Sequence, residues 1–437
     1  MGHQAPPIIM EPNNAAPLPV DAVAHTPEVS HRWLLTRDFG LIWWSQVLSQ
    51  IADGVSKLAL LWFVYAITGS PVKTTMIGLL QTLPPILFGP FIGVIVDRVP
   101  KKAILIGSDV ARGLLIGVIP CVVSVENFTV ESLYVITFLY GIATALFVPT
   151  LSSAVPFMVR RPQFTAANAL LQSTTSLGII IGPALSGIGI AFSGSQDVLC
   201  LNAVTYLASA ACLLPIRLRA AESVDKGSAG IRQFGRYLLE GIQNSFLIHR
   251  HLLILIVLAS VYTFGTGAFT TLFPVFGRHM LGLGPVEVGY LWSWLGVGLF
   301  LTSLGLIRLS TWNLRRRLSV ITGSSTLAGL AVIGLTWTQD LRLAALLVAC
   351  IGIGFGTWTP IAWGIIQEVA PPGVVGRVMA VYTAIATATS MVGMGIFGWV
   401  AESFGSVTSV IGIGGVMFLL ALGSAWFAQR IGLSGEA

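Results

Sequence analysis

Charged residues are scarce in this chain: Asp, Glu, Lys and Arg make up 10% of its 437 residues, while 54% are hydrophobic. A soluble domain carries about 25% charged residues, so this composition cannot clothe an aqueous surface and a soluble enzyme is excluded. Cysteine is scarcer still. Cys121, Cys200, Cys212 and Cys350 fall in or beside apolar runs, with no CxxC and no nearby His at ligand spacing. That pattern argues against a disulfide framework, a zinc site or a thiol catalyst. A nucleotide-binding loop and a Ser/His/Asp set are missing too, so no enzyme activity, metal or cofactor is expected. Short alternating strands are absent, which excludes an outer-membrane barrel.

The chain holds instead long apolar runs. Windows of about 20 residues predict twelve helices near 39–67, 73–96, 103–124, 130–158, 166–192 and 197–215, then 251–276, 286–309, 318–338, 341–369, 375–401 and 405–429. The expected fold is an all-α integral membrane protein: 38–215 as an N-terminal six-helix bundle and 251–430 as a C-terminal one. Residues 1–37, rich in Pro, Ala and Asn, are expected to form a disordered cytoplasmic tail without a signal peptide, and 431–437 a second tail. The linker 216–250 carries Phe234, Tyr237, Leu238, Ile242 and Phe246 on one helical stripe, predicting an amphipathic helix at the cytoplasmic surface.

The net charge of +6 could suggest a nucleic acid, but the basic residues form no single patch. Of 24 Lys and Arg, only Lys73, Arg278 and Arg342 fall in loops on one side, and Lys57 and Arg112 fall inside spans. The rest lie on the other side, which the positive-inside rule makes cytoplasmic. Both termini are therefore expected inside a bacterial plasma membrane, with no nucleic-acid partner and a lipid bilayer as surroundings. Pro149 and Pro360, Gly182 and Gly393, and Gly187 and Gly398 each stand 211 residues apart. Two same-sense bundles repeated at that offset imply a pseudo-two-fold axis along the membrane normal and one site between them.

Three stretches carry a family resemblance. GVIVDRVPKK, from Gly93 to Lys102, resembles the loop motif after the second helix of the major facilitator superfamily. GIIIGPALSG, from Gly178 to Gly187, resembles the helix-5 motif of its drug-efflux branches, and LIWWSQVLSQIADGVSKLALLWFVYAITGS is similar to the first helix of the macrolide-efflux and enterobactin-exporter group. The resemblance implies a conformational latch at Gly93, Asp97 and Arg98, with Lys101 and Lys102 beside it. It also implies a sealing helix built on Gly178, Gly182, Pro183 and Gly187, whose small residues allow close approach and whose proline permits a bend. After helix 8 the Asp-Arg pair of the latch is lost. Thr137, ahead of Gly141, stands where many relatives have Arg, which puts coupling through that Arg out of reach and favours an acid in helix 1.

An ionisable side chain in a span costs roughly 2.5–3.5 kcal/mol on insertion scales, so each needs a partner or water. Asp53 and Lys57, four apart, and Asp109 and Arg112, three apart, can each share a helix face. Gln46, Ser49, Gln50, Asp53, Ser56 and Lys57 form a polar stripe expected to face a central cavity, with Asp53 and Lys57 as proton-coupling candidates. Asp109 and Arg112 are expected to be a packing pair nearer the cytoplasm. Substrate-binding candidates are Gln46 and Gln50, Gln172 (with Asn168 and Thr175), Tyr262 and Thr266 (with Thr263 and Thr270), Trp358 and Trp363 (with Gln367), and Tyr382 and Met391 (with Met394). Aromatic, Met and hydroxyl groups supply contact area without a fixed hydrogen-bond pattern, which suits amphipathic molecules. No Lys or Arg lies at mid-membrane in the second half, which argues against sugar phosphates and dicarboxylates. The expected function is proton-driven export of drugs, antibiotics or siderophores by a monomer. An uptake or lysophospholipid carrier of the same fold, or a non-transporting membrane sensor, remains open at this point.

Overall fold

The structure is a computed structural model and describes residues 37–123, 129–159, 164–216, 250–307, 313–369 and 375–434. The N-terminal tail up to 36, most of the linker with its amphipathic helix, and the last residues lie outside these. The first helices are α1 (Arg37–Thr68), α2 (Pro71–Arg98), α3 (Lys101–Val123) and α4 (Val130–Ala154). A helical stretch Phe164–Leu213 then breaks at Gly194, whose φ of 88° and ψ of 165° leave the helical region, so it forms two spans, α5 (164–193) and α6 (195–213). The second half has α7 (Arg250–Met280), α8 (Pro285–Ile307), α9 (Leu314–Gly334), α10 (Leu341–Val369), α11 (Val375–Phe404) and α12 (Ser406–Ser434). Among the described residues ten stretches are long and apolar enough to cross a membrane, one of them containing the Gly194 break. The twelve-helix expectation holds, and the fifth and sixth spans meet with only a kink between them.

Local chemistry sets several helix starts. Gly69, at a φ of 63°, ends the turn after α1, and Ser70 then caps α2 by accepting from Lys73 N at 3.2 Å, with Pro71 in the first turn. Asn313 caps α9 through Arg316 N at 3.1 Å. Asp340 caps α10 by accepting from Arg342 N at 2.7 Å and Leu343 N at 3.0 Å. Each cap satisfies backbone donors that a helix leaves unpaired at its start.

Close backbone approach holds the bundles together. Gly54 of α1 lies against Gly178 and Gly182 of α5, so closely that a Cβ on Gly182 would stand 2.7 Å from Gly54 Cα. In the second half Gly393 of α11 lies against Phe264 of α7, where a Cβ would come 2.9 Å from Phe264 Cα. The repeat extends across the halves. Gly187 meets Pro285 and Gly289 of α8, and its counterpart Gly398 meets Thr75 of α2. Gly78 of α2 faces Met394, and Gly289, at the same offset, faces Pro183, which is the residue equivalent to Met394. The pseudo-two-fold axis is thus visible residue by residue.

The contacts across the halves gather at one end, the side away from the basic loops. There α2 packs on α11 and α5 on α8, Ser293 Oγ donates to Ile180 O at 2.6 Å, and Arg278 of α7 covers Trp62 of α1 with 5.5 Å to the ring centroid. Glu402, near the end of α11, accepts from Ser70 Oγ at 2.5 Å and from Val72 N at 3.0 Å. Among the described residues the helix contacts that join the halves lie at the far side, and none comparable joins α4 to α10 or α11 at the basic one.

Candidate functional site: an acid cluster within the N-terminal bundle

Asp53 lies about 24 Å along α1 from Arg37, at ~1.5 Å per residue, midway along a helix roughly 48 Å long. Its side chain is 27% exposed and turned inward, not toward lipid, because three neighbouring helices hold it. Arg112 of α3 brings Nη1 to 3.1 Å from Oδ1 and 3.4 Å from Oδ2. Tyr206 of α6 donates to Oδ1 at 2.7 Å and Tyr140 of α4 at 3.0 Å, while the two hydroxyls lie 2.7 Å apart. The partner of Asp53 is therefore Arg112 and not Lys57, which the four-residue spacing had suggested. Spacing shows which residues can share a face; the packing of α3 against α1 and α6 decided which cation arrives.

The expected packing pair of Asp109 and Arg112 is present, and the same guanidinium also joins it to Asp53. Arg112 is 1% exposed, and its Nη2 binds Asp109 Oδ1 and Ser49 Oγ, the latter at 2.9 Å. Asp109 is fully buried and accepts from Ser209 Oγ at 2.6 Å. The guanidinium lies over the rings of Phe147 and Tyr206, at 4.4 and 4.9 Å. Two carboxylates thus share one cation, leaving the cluster one negative charge when both are ionised. Charges removed from water persist only with such partners.

Gly113 makes this meeting possible, since a Cβ there would crowd Ala203 O at 3.1 Å and Leu207 and Tyr206 at 3.3 Å. Asn202 of α6 ties the helices further by donating to Ala52 O at 3.0 Å and Ser56 Oγ at 2.6 Å. Sequence reasoning missed Tyr140, Tyr206, Ser209 and Asn202. A tyrosine inside an apolar span was the available signal, because its hydroxyl must find a partner when buried.

The other expected site residues are dispersed. Gln46 is buried, its side-chain oxygen without a hydrogen-bond partner, and Gln50 is half-buried beside Gly178. Lys57 is exposed, lies 5.5 Å from the Trp292 ring centroid on α8, and has no carboxylate partner among the described residues. Gln172 and Trp363 are exposed, whereas Thr266 and Met391 are half-buried. Tyr262 stacks on Trp358 at 5.7 Å and donates to Phe355 O at 2.7 Å. Trp358 in turn donates to Tyr382 Oη at 2.8 Å, with both side chains almost fully buried. These three aromatics form a wall knitted into the C-terminal bundle.

The residues expected to act as a latch engage their own bundle here. Lys102 Nζ donates to Leu214 O at 2.6 Å, just after α6, and Lys101 lies 5.2 Å from the Phe157 ring centroid. Gly93 and Arg98 are exposed; the side chain of Asp97 lies outside the described residues. In the glycine motif the roles divide. Gly178 and Gly182 pack within the bundle against α1, and Pro183 and Gly187 reach across to α8.

Twelve helices in two pseudo-symmetric bundles that meet at one end, with an acid cluster inside the first, have the architecture of a multi-pass membrane carrier. The chain belongs to the Major Facilitator Superfamily, whose sequence profile matches residues 42–394. It is 24% identical to macrolide efflux protein A of Streptococcus pyogenes, over 86% of this chain and 92% of that protein. Identity to the multidrug efflux pump Tap of Mycolicibacterium fortuitum is 25%, over 87% and 93%. Its fold matches that of a bacterial homologue of the iron transporter ferroportin in an inward-facing state, with a TM-score of 0.72 at 13% identity, covering 91% of this chain and all of the other. A bacterial homologue of the human lysosomal transporter Spinster, inward-facing and unoccupied, gives 0.68 at 12% identity, over 90% and 97%.

Proposed function

We propose that the protein is a proton-coupled exporter of amphipathic small molecules, drugs or antibiotics among them, working by alternating access in a bacterial plasma membrane with both termini cytoplasmic. The observation that carries this reading is Asp53: an acid midway along a membrane-length helix, partly accessible, held where α1 meets the other helices of its bundle. The efflux names of relatives aligned along most of the chain support the direction. With the basic side inside, the present arrangement is open to the cytoplasm, where cargo would enter. Trp363, Gln172, Gln50, Thr266 and Met391 would supply adaptable contacts, and the wall of Tyr262, Trp358 and Tyr382 would shape the crevice. Protonation of Asp53 from outside would accompany release of the cargo, and loss of that proton to the cytoplasm would restore affinity.

Ethidium accumulation in bacteria producing the protein tests this. Lower accumulation that an uncoupler abolishes is the expected result, and raised accumulation would indicate uptake instead. In proteoliposomes, Asp53→Asn should remove the pH dependence of ethidium transport; an unchanged pH profile removes Asp53 from the coupling role.

A further inference from the structure

A proton-carrying acid inside a protein needs a neutral form as well housed as its charged one, because a buried partner left without its hydrogen bond opposes the change. The two oxygens of Asp53 differ in this respect. Oδ1 receives Tyr206, Tyr140 and Arg112 at 2.7, 3.0 and 3.1 Å, whereas Oδ2 has only Arg112 at 3.4 Å. A proton therefore goes on Oδ2. Oδ1 then becomes a carbonyl oxygen and continues to accept from both hydroxyls. Arg112 is not stranded, since its Nη2 keeps Asp109 and Ser49, and Asp109 keeps Ser209. The cluster passes from one negative charge to none while the two hydroxyls on Oδ1 and the Nη2 of Arg112 keep their acceptors; Arg112 Nε has no hydrogen-bond partner before the change and gains none by it.

We propose that Tyr140, Tyr206 and the Arg112–Asp109 pair are positioning residues that hold Asp53 in one geometry through both protonation states. This deepens the proton-coupled reading and rests on it. Asp53 then exchanges one proton per cycle with water in the crevice: hydronium gives its proton to Oδ2 and water takes it back, and no other bond is made or broken. Among the described residues the charged and titratable groups around Asp53 are few. They are Lys57 on its own helix, Asp109 and Arg112 on α3, Tyr140 on α4 and Tyr206 on α6. Toward α5 the packed surface is Gly178 and Gly182, while Lys73 of α2, Glu287 of α8, and Arg278 and His279 of α7 lie at the far ends of their helices.

Infrared titration of the full-length protein in liposomes reads the proton directly and needs no substrate. The carboxylic-acid C=O band that disappears in Asp53→Asn reports Asp53. Tyr206→Phe and Tyr140→Phe, isosteric changes that each delete a donor to the carboxylate, should move the midpoint of that band up by about one pH unit, a roughly tenfold gain in proton affinity. Asp109→Asn should move it down by a similar amount, because Arg112 then serves a single anion. If that variant does not fold, the two tyrosine variants carry the test alone, and a midpoint unmoved or lowered in both overturns the proposal. Midpoints that stay in place, or that shift in one direction for both the tyrosine and the Asp109 variants, overturn the proposal. A band absent at every pH overturns it together with the coupling role of Asp53. If the band titrates and shifts as expected while wild-type ethidium transport ignores pH, the positioning roles stand and the exporter mechanism falls.

Discussion

Replacing Arg112 by Met isolates what the shared cation contributes to the fold. Met fills much of the same volume beside Phe147 and Tyr206 but carries no charge, so the change strands Asp109, fully buried and left with serine hydroxyls alone. Breaking a buried pair from one side costs about 3–5 kcal/mol, since the remaining charge has lost its compensation. For each half of the protein, taken as a domain of ordinary size, that corresponds to roughly 6–20 °C in apparent melting temperature. Adding Asp109→Asn to Arg112→Met removes the stranded charge, and most of the loss should return. The assay is the fraction of monodisperse protein surviving a temperature series in detergent, for wild type, both single variants and the double variant. If the double variant is no more stable than Arg112→Met alone, or if Arg112→Met melts like wild type, the charge-sharing argument is wrong.

Gly182→Ala puts a Cβ 2.9 Å from Gly54 C and Ile51 O, backbone atoms that cannot turn aside, so it should lower stability by about 1–3 kcal/mol, whereas Gly415→Ala on α12 meets nothing within 4 Å and should be neutral or mildly stabilising in the same melting assay. Glu402→Ala removes the acceptor of Ser70 Oγ and Val72 N across the far-side seam. Spin labels at Ser152 and Gln367, exposed near the basic-side ends of α4 and α10 in the two halves, should then report a larger population of short distances as the basic side closes more often; an unchanged distribution counts against the seam. The backbone donors of Leu343 and Arg342 hold the Asp340 carboxyl below its usual range. A depressed acid stabilises above its unfolded value and loses that contribution as pH falls through the folded one, so the start of α10 should loosen only in acid. Asp340→Asn, which keeps the cap without the charge, should flatten that acid dependence in hydrogen exchange at Leu343.

The membrane class, the helix positions, the charge asymmetry between the two sides and the 211-residue repeat all follow from the amino-acid sequence. A bilayer demands about 20 apolar residues per crossing, and that demand is written locally in the chain. Gly182 and Gly393 could be paired by offset alone, for the same reason. The partner of Asp53 could not. Lys57 is its neighbour on the helix, yet Arg112 is the one that reaches it, along with Tyr140 and Tyr206 from spans far along the chain. Whether Trp358 and Tyr382 line open space or bond to each other also depended on how α10 and α11 pack. Side-chain partnership in a bundle depends on helix rotation and approach, fixed by small residues such as Gly54 and Gly113 where backbones touch, and only the assembled tertiary structure sets those distances.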